Sequence, residues 1–267
     1  MPAAERPGRP ALTLAEALDL TGDEIVALVG GGGKTTAMFR LAREVVEKGG
    51  SAITTTTTRI FAAQIALAPA HITASDATPD RVSAALAAHR HVLVVGDTDR
   101  STGKAEGVSL ELFRRLRAWC PGVCILNEAD GSRMRPFKAP ADHEPVIPED
   151  TTLVVLVLGA DVFGKPLDAE HVHRPELVSA LSGATLGTPI TPEIVARVLS
   201  HPEGGRKGVP RHARVVAVIN KMDNLADAAA AHETAERLLR EPAIHSVVLT
   251  TLRRTDQPVL EVRTRRT

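Results

Sequence analysis

No tyrosine occurs among the 267 residues, and only one tryptophan and five phenylalanines do. So few aromatic rings argue against a stacking platform for single-stranded nucleic acid. Charge of one sign is also missing. Lys plus Arg and Asp plus Glu both total 32, so no global field favours a nucleic acid or an anionic membrane surface. Cysteine is nearly absent. Cys120 and Cys124 cannot make a disulfide framework. Their C-x-x-x-C spacing lacks a nearby residue to complete a metal site, so two half-buried thiols are expected. No apolar run is long enough to span a bilayer. The opening MPAAERPGRP has no apolar signal-peptide core. There is no internal repeat at a solenoid period. These absences lead to an expected cytoplasmic protein without nucleic-acid or membrane partners. Residues 1–12 are expected as a flexible tail and 13–267 as one domain, long enough to bury a substantial core.

What the chain does have is a glycine loop. The apolar run Ile25–Val29 reads as a buried strand, and Ala37–Val46 as an amphipathic helix. Between them stand Gly30, Gly31, Gly32, Gly33, Lys34, Thr35 and Thr36. Strand, glycine loop, Lys-Thr and helix is the context of a phosphate-binding loop. Glycines let backbone N–H groups face a phosphate that side chains would block, and the helix start adds partial positive charge. Lys34 is placed to reach terminal phosphates and Thr35 to hold Mg²⁺. The common G-x-x-x-x-G-K-[ST] pattern would need glycine at Leu28. The shorter G-G-x-G-K-T-T form of MinD-like ATPases fits better, although Val29 stands where that group carries an extra lysine.

Apolar runs alternate with helical patterns along the rest of the chain. Strands are expected at Glu24–Val29, Ser51–Thr55, His91–Val95, Val123–Asn127, Leu153–Leu158, Arg214–Ile219 and Ser246–Thr250. Helices are expected at Leu14–Leu20, Thr35–Lys48, Pro79–His89, Ser109–Trp119, Pro175–Leu181, Pro192–Leu199 and Leu225–Arg240. Continuous apolar strands separated by helices predict an α/β fold, P-loop NTPase-like, with a mostly parallel sheet covered by helices on both faces. Ligands sit at the carboxyl ends of strands in such sheets, so motifs that end strands belong to one candidate site.

Four such motifs stand out. The strand before Glu128 and Asp130 ends in two acids. Asp130, or Glu128, is the expected carboxylate for the metal, with Asp130 and Thr35 the first choice of pair, and Lys34, Glu128 and Asp130 are the expected catalytic set. A simple Asp-Gly turn is the alternative. Asn220, Lys221 and Asp223 form N-K-x-D after a strand, which can read guanine because the carboxylate accepts from two donors that adenine lacks. The alternative is that Asn220 and Asp223 cap a helix starting near Leu225. Thr54 to Thr58 close another strand, with Thr57 and Arg59 beyond its end as substrate candidates. The basic loop residues Arg133, Lys138 and His143, followed later by His173 and Arg174, suggest an anionic second substrate. His171 and His173 could also hold a metal, but no third ligand is in view.

Taken together, VGGGGKTT, TTTTTRIF, NEADGSRMRPFKAPADHEPVIP, GADVFGKPLDAEHVHRPE, ITPE and INKMD resemble, in that order, the YqeC family. The match spans most of the chain from Ile25 to about Thr250. The resemblance implies an accessory role for selenium-dependent molybdenum hydroxylases. The motifs make GTP or ATP with Mg²⁺ the expected ligands, and the resemblance makes the molybdenum cofactor or an apo-molybdenum hydroxylase the expected partners. With the motifs, it leads to an expected NTP hydrolase or phosphoryl/nucleotidyl transferase, or alternatively a nucleotide-gated binding protein with slow hydrolysis.

Overall fold

Strands that are apolar on both faces must be covered on both, and the sheet is built that way. The computed structural model describes residues 11–99, 101, 103–224 and 228–265. Most of the expected tail over 1–12 lies outside the described residues, as do the first three positions of the helix expected over Leu225–Arg240. Among the described residues the main sheet has nine strands. They are β1 (Ile25–Gly30), β2 (Ala52–Thr56), β3 (His71–Thr73), β4 (His91–Val95), β5 (Cys124–Glu128), β6 (Leu153–Gly159), β7 (Arg214–Asn220), β8 (Ser246–Thr250) and β9 (Val259–Thr264). Their spatial order is β9-β8-β7-β6-β1-β5-β2-β4-β3. Every neighbouring pair is parallel except β8 with β9. The fold is therefore α/β with a mostly parallel sheet, and it is consistent with a P-loop NTPase-like arrangement.

Among the described residues, seven helices cover the sheet: α1 (Leu14–Ala17), α2 (Lys34–Glu47), α3 (Pro79–His89), α4 (Leu110–Trp119), α5 (Pro175–Ser182), α6 (Pro192–Ser200) and α7 (Ala229–Leu239). Alternate strand residues face opposite ways. Val26 and Leu28 pack with Met38, Leu41 and Val45 of α2, while Ala27 and Val29 join the core under α5, α6 and α7. None of these helices is long and apolar enough to cross a membrane. Cys120 and Cys124 are free and buried, more fully than the half-burial expected. Burial pushes the Cys124 thiol up to about 12, so it is inert as a nucleophile.

Thr54, Thr55 and Thr56 serve the sheet. Their hydroxyls meet His91 Nε2 at 2.9 Å, Val94 O at 2.8 Å and Glu128 O at 2.9 Å. Burial holds His91 down at about 4, so the fold requires its neutral form. The unfolded chain takes up that proton as pH falls below the ordinary histidine value near 6.5, and the folded chain does so only near 4. Stability should therefore drop as pH falls between the two. Urea denaturation followed against pH should show His91→Gln removing about one proton from the uptake on unfolding in that window. An unchanged pH slope would mean that His91 is not responsible.

Candidate functional site

The glycine loop ends β1 at the carboxyl edge of the sheet, next to the strand ends of β5 and β6. Close approach explains its composition. A Cβ on Gly32 would lie 2.0 Å from Gly159 N, and Gly32 has φ +75° besides. The first amides of the loop are used by the protein. Gly30 N donates to both Asp130 oxygens at 3.0 and 3.1 Å, Gly31 N to Val157 O at 2.9 Å and Gly32 N to Arg135 O at 3.1 Å. Helix α2 has Gly33 as its N-cap and no side-chain cap. Among the described residues, the amides of Gly33, Lys34, Thr35 and Thr36 have no protein partner. The donors open to an anion are thus the helix start, not the whole glycine run.

Beside the loop lies a buried cluster of charge. Lys34 Nζ donates to Gly30 O at 2.7 Å and stands 3.2 Å from Asp130 Oδ1 and 3.6 Å from Glu128 Oε1. A lysine placed to reach terminal phosphates should stand open to them, yet Lys34 is only 3% exposed. Its charge needs an anion, and the two carboxylates supply it. Burial disfavours that charge, but Asp130 and Glu128 more than offset this and raise the lysine's pKa. Asp130 is engaged on both oxygens, since Lys138 Nζ stands 3.0 Å from Oδ2. Glu128 Oε2 accepts from the Thr35 hydroxyl at 2.8 Å. Gln64 Nε2 donates to that same hydroxyl at 3.3 Å.

The basic loop residues divide. Phe137–Lys138 and Val172–His173 pair as a short parallel ladder that ties the two long loops together. Lys138 and Arg174 both bond Glu144 Oε1, and Lys138 also donates to Gly131 O at 2.7 Å. Burial alone would raise the Glu144 pKa, but these two cations hold it below the usual carboxylate range. Burial, then the charges of Arg174 and Lys138, push His173 down to about 4, so it is neutral. Arg133 and His143 are exposed. His171 is paired with Asp168 at 2.8 Å. Thr57 gives its hydroxyl to Val146 O at 2.8 Å, and Arg59 pairs with Glu106 at the surface at 3.3 Å. Lys138 and Arg174 are thus spent on internal carboxylates, and the seven expected substrate residues do not converge on one open anion site.

Asn220 is buried and works as a brace. Its Nδ2 donates to Gly32 O at 2.8 Å, and its Oδ1 accepts from Leu252 N at 3.0 Å and Thr250 Oγ1 at 3.3 Å. Lys221, with φ +64°, reaches Asp161 Oδ2 at 2.7 Å. Asp223 is exposed on a short 3-10 turn. Among the described residues, helix α7 begins at Ala229 with Ala228 as N-cap, and neither Asn220 nor Asp223 gives it a cap bond. Sequence reasoning missed Gln64, Glu144 and Asp161. Glu144 and Asp161 lie inside the two long motifs but carry no spacing signal of their own. Gln64 sits in an otherwise apolar 3-10 segment and gives no signal.

A family model described as YqeC protein matches residues 26–176. A protein of Escherichia coli (strain K12), described as "Uncharacterized protein YqeC", is 31% identical over 217 residues, which cover 80% of this chain and 82% of that protein.

Proposed function

The chain belongs to the YqeC family, and from that footing we propose that it is a Mg²⁺-dependent user of nucleoside triphosphate. It hydrolyses the nucleotide or transfers a phosphoryl or nucleotidyl group, in the service of a molybdenum hydroxylase or its cofactor. One observation carries this reading: four unpartnered amides at the start of α2 adjoin Lys34, Thr35, Glu128 and Asp130 in one contact network. The amides and helix start bind phosphate oxygens. Lys34 exchanges its carboxylates for the terminal phosphates and offsets their charge. Thr35 and Glu128 are adjacent hard oxygen donors of the kind Mg²⁺ takes, and they would hold it. When bound, the ion neutralises charge developing on the phosphates. Of the two candidate carboxylates, Glu128 is the one we assign to the ion, because Asp130 has its oxygens on Gly30 N and Lys138 and so positions the loop.

The nucleotide-gated alternative has an observation of its own. Lys34 is closed in by two carboxylates, so triphosphate must displace them, and the resulting movement of Glu128 is a ready switch signal. Incubation with GTP or ATP and Mg²⁺, with and without molybdenum cofactor, followed by product analysis, tests the reading. Rapid turnover with cofactor supports the enzyme, and tight binding with little turnover supports the switch. Thr35→Ala and Glu128→Gln should each weaken the Mg²⁺ dependence of binding by about ten-fold or more. Wild-type Mg²⁺ titrations in both variants would put the ion elsewhere.

A further inference from the structure

A groove of about 590 Å³ runs along the outer face of α2. One end reaches Thr35 and the other reaches Glu47, about 18 Å along the helix axis. The 3-10 segment Ala62–Leu67 forms one side and the turn 252–255 after β8 forms the other. The middle is apolar, built from Phe39, Leu67 and Leu252, and Leu67 is 58% exposed. His91 packs on Phe39 with ring centroids 6.0 Å apart and is neutral, so it adds no charge to the wall.

Cations mark the rim. The guanidinium of Arg40 is spent on Leu252 O at 2.9 Å, on Glu44 at 3.2 Å and on Arg254 O. Arg43 and Arg253 are different. Arg43 has only an exposed contact with Glu47 at 3.6 Å, and Arg253 has no ion pair among the described residues. The volume lies within the ordinary range of small-molecule sites, which are mostly apolar with a few polar groups.

We infer that this groove is the site of a second ligand, an organic anion with an apolar body, its one end at Thr35 and its acid group at Arg43 and Arg253. A nucleoside fits the groove less well. Once its phosphates lie on the start of α2, it brings no further anion for the two arginines. The basic loop residues cannot serve this ligand in their place, because Lys138 and Arg174 are paired with Glu144. The neighbourhood of nucleotide and second ligand rests on the function proposed above, whereas the groove's affinity for an amphiphilic anion does not.

Fluorescence titration of the full chain with 8-anilinonaphthalene-1-sulfonate, against its uncharged counterpart N-phenyl-1-naphthylamine, tests this. One sulfonate probe should bind per chain. The double variant Arg43→Gln/Arg253→Gln should weaken it by about ten-fold, as two exposed charge contacts would, and leave the uncharged probe unaffected. Leu67→Gln should weaken both probes. Saturating Mg²⁺ with GTP or ATP should leave the sulfonate bound. Sulfonate binding that ignores the arginines overturns the inference. So does competitive displacement by nucleotide, which would make the groove the nucleoside's own. If neither GTP nor ATP binds while the arginine dependence holds, the groove stands and the nucleotide function falls.

Discussion

Replacing Lys34 by alanine is expected to remove tight triphosphate binding and to lower stability at the same time. The lysine is buried, with Asp130 at 3.2 Å and Glu128 at 3.6 Å. Taking away one partner of a buried ion pair typically costs about 3–5 kcal/mol, because the other charge is left uncompensated. Here Lys138 still faces Asp130 at 3.0 Å, so the loss should fall toward the lower end. The binding loss is separate. One charge-assisted contact to phosphate is worth roughly 1.5–3 kcal/mol, or about ten- to a hundred-fold in affinity. Lys34→Met keeps the aliphatic stem and so isolates the charge from the packing. Urea denaturation gives the first loss, and calorimetry with GTP and ATP gives the second. A folded variant that binds triphosphate as wild type does would remove the loop from nucleotide binding. Because Asp130 and Glu128 raise the pKa of Lys34 despite its burial, its contribution is whole at neutral pH and fades only as pH climbs through that raised value. Lys34→Met should therefore lack part of the alkaline loss of stability seen in wild type.

How far the sequence carries differs between the fold and the site, for physical reasons. All seven expected strands are in the sheet, each within a residue at both ends, because parallel strands buried on both faces read as unbroken apolar runs. The two outer strands were not foreseen. His71–Thr73 has three residues, none of them buried, and in Val259–Thr264 only Val259 is buried. An edge strand needs few apolar side chains, so it leaves little periodicity to detect. The helix expected over Leu14–Leu20 stops at Ala17, with Leu18 as its C-cap and Asp19 at φ +54°. Local motifs fared better than distant pairings. Lys34, Thr35, Glu128 and Asp130 meet because each ends or follows one of two adjacent strands. The partners of the basic residues were hidden. Arg174 finds Glu144 across 30 positions, and Lys221 finds Asp161 across 60. Only the ladder between Phe137–Lys138 and Val172–His173, and the pairing of β6 with β7, create those contacts. Basic residues in a loop looked available to a substrate because their internal counter-charges are remote in sequence.

The same distinction between brace and reader sets the expected contrast between Asn220→Ala and Asp223→Asn. Asn220 joins the glycine loop to the turn after β8 through Gly32 O and Leu252 N, while buried. Alanine would leave both backbone groups unpaired in a dry place, at about 1–3 kcal/mol each. The loop should then loosen, and affinity for every nucleotide should fall by a similar factor. Asp223 is exposed and does not cap α7, so its loss should leave stability nearly unchanged. If its carboxylate accepts from the two donor groups on guanine, wild type should prefer GTP to ATP by a factor on the order of a hundred. Asp223→Asn should lose that preference, since an amide cannot accept from both donors. It should gain affinity for the xanthine nucleotide, whose 2-oxo group suits the amide's donor. Competition titrations of GTP, ATP, CTP and XTP on the three proteins separate the roles. A uniform loss in Asn220→Ala with a changed ranking in Asp223→Asn assigns the loop to the first residue and the base to the second. Equal affinity of wild type for all four would mean that Asp223 does not read the base, since nothing else in N-K-x-D is free to do so: Asn220 holds the loop and Lys221 holds Asp161.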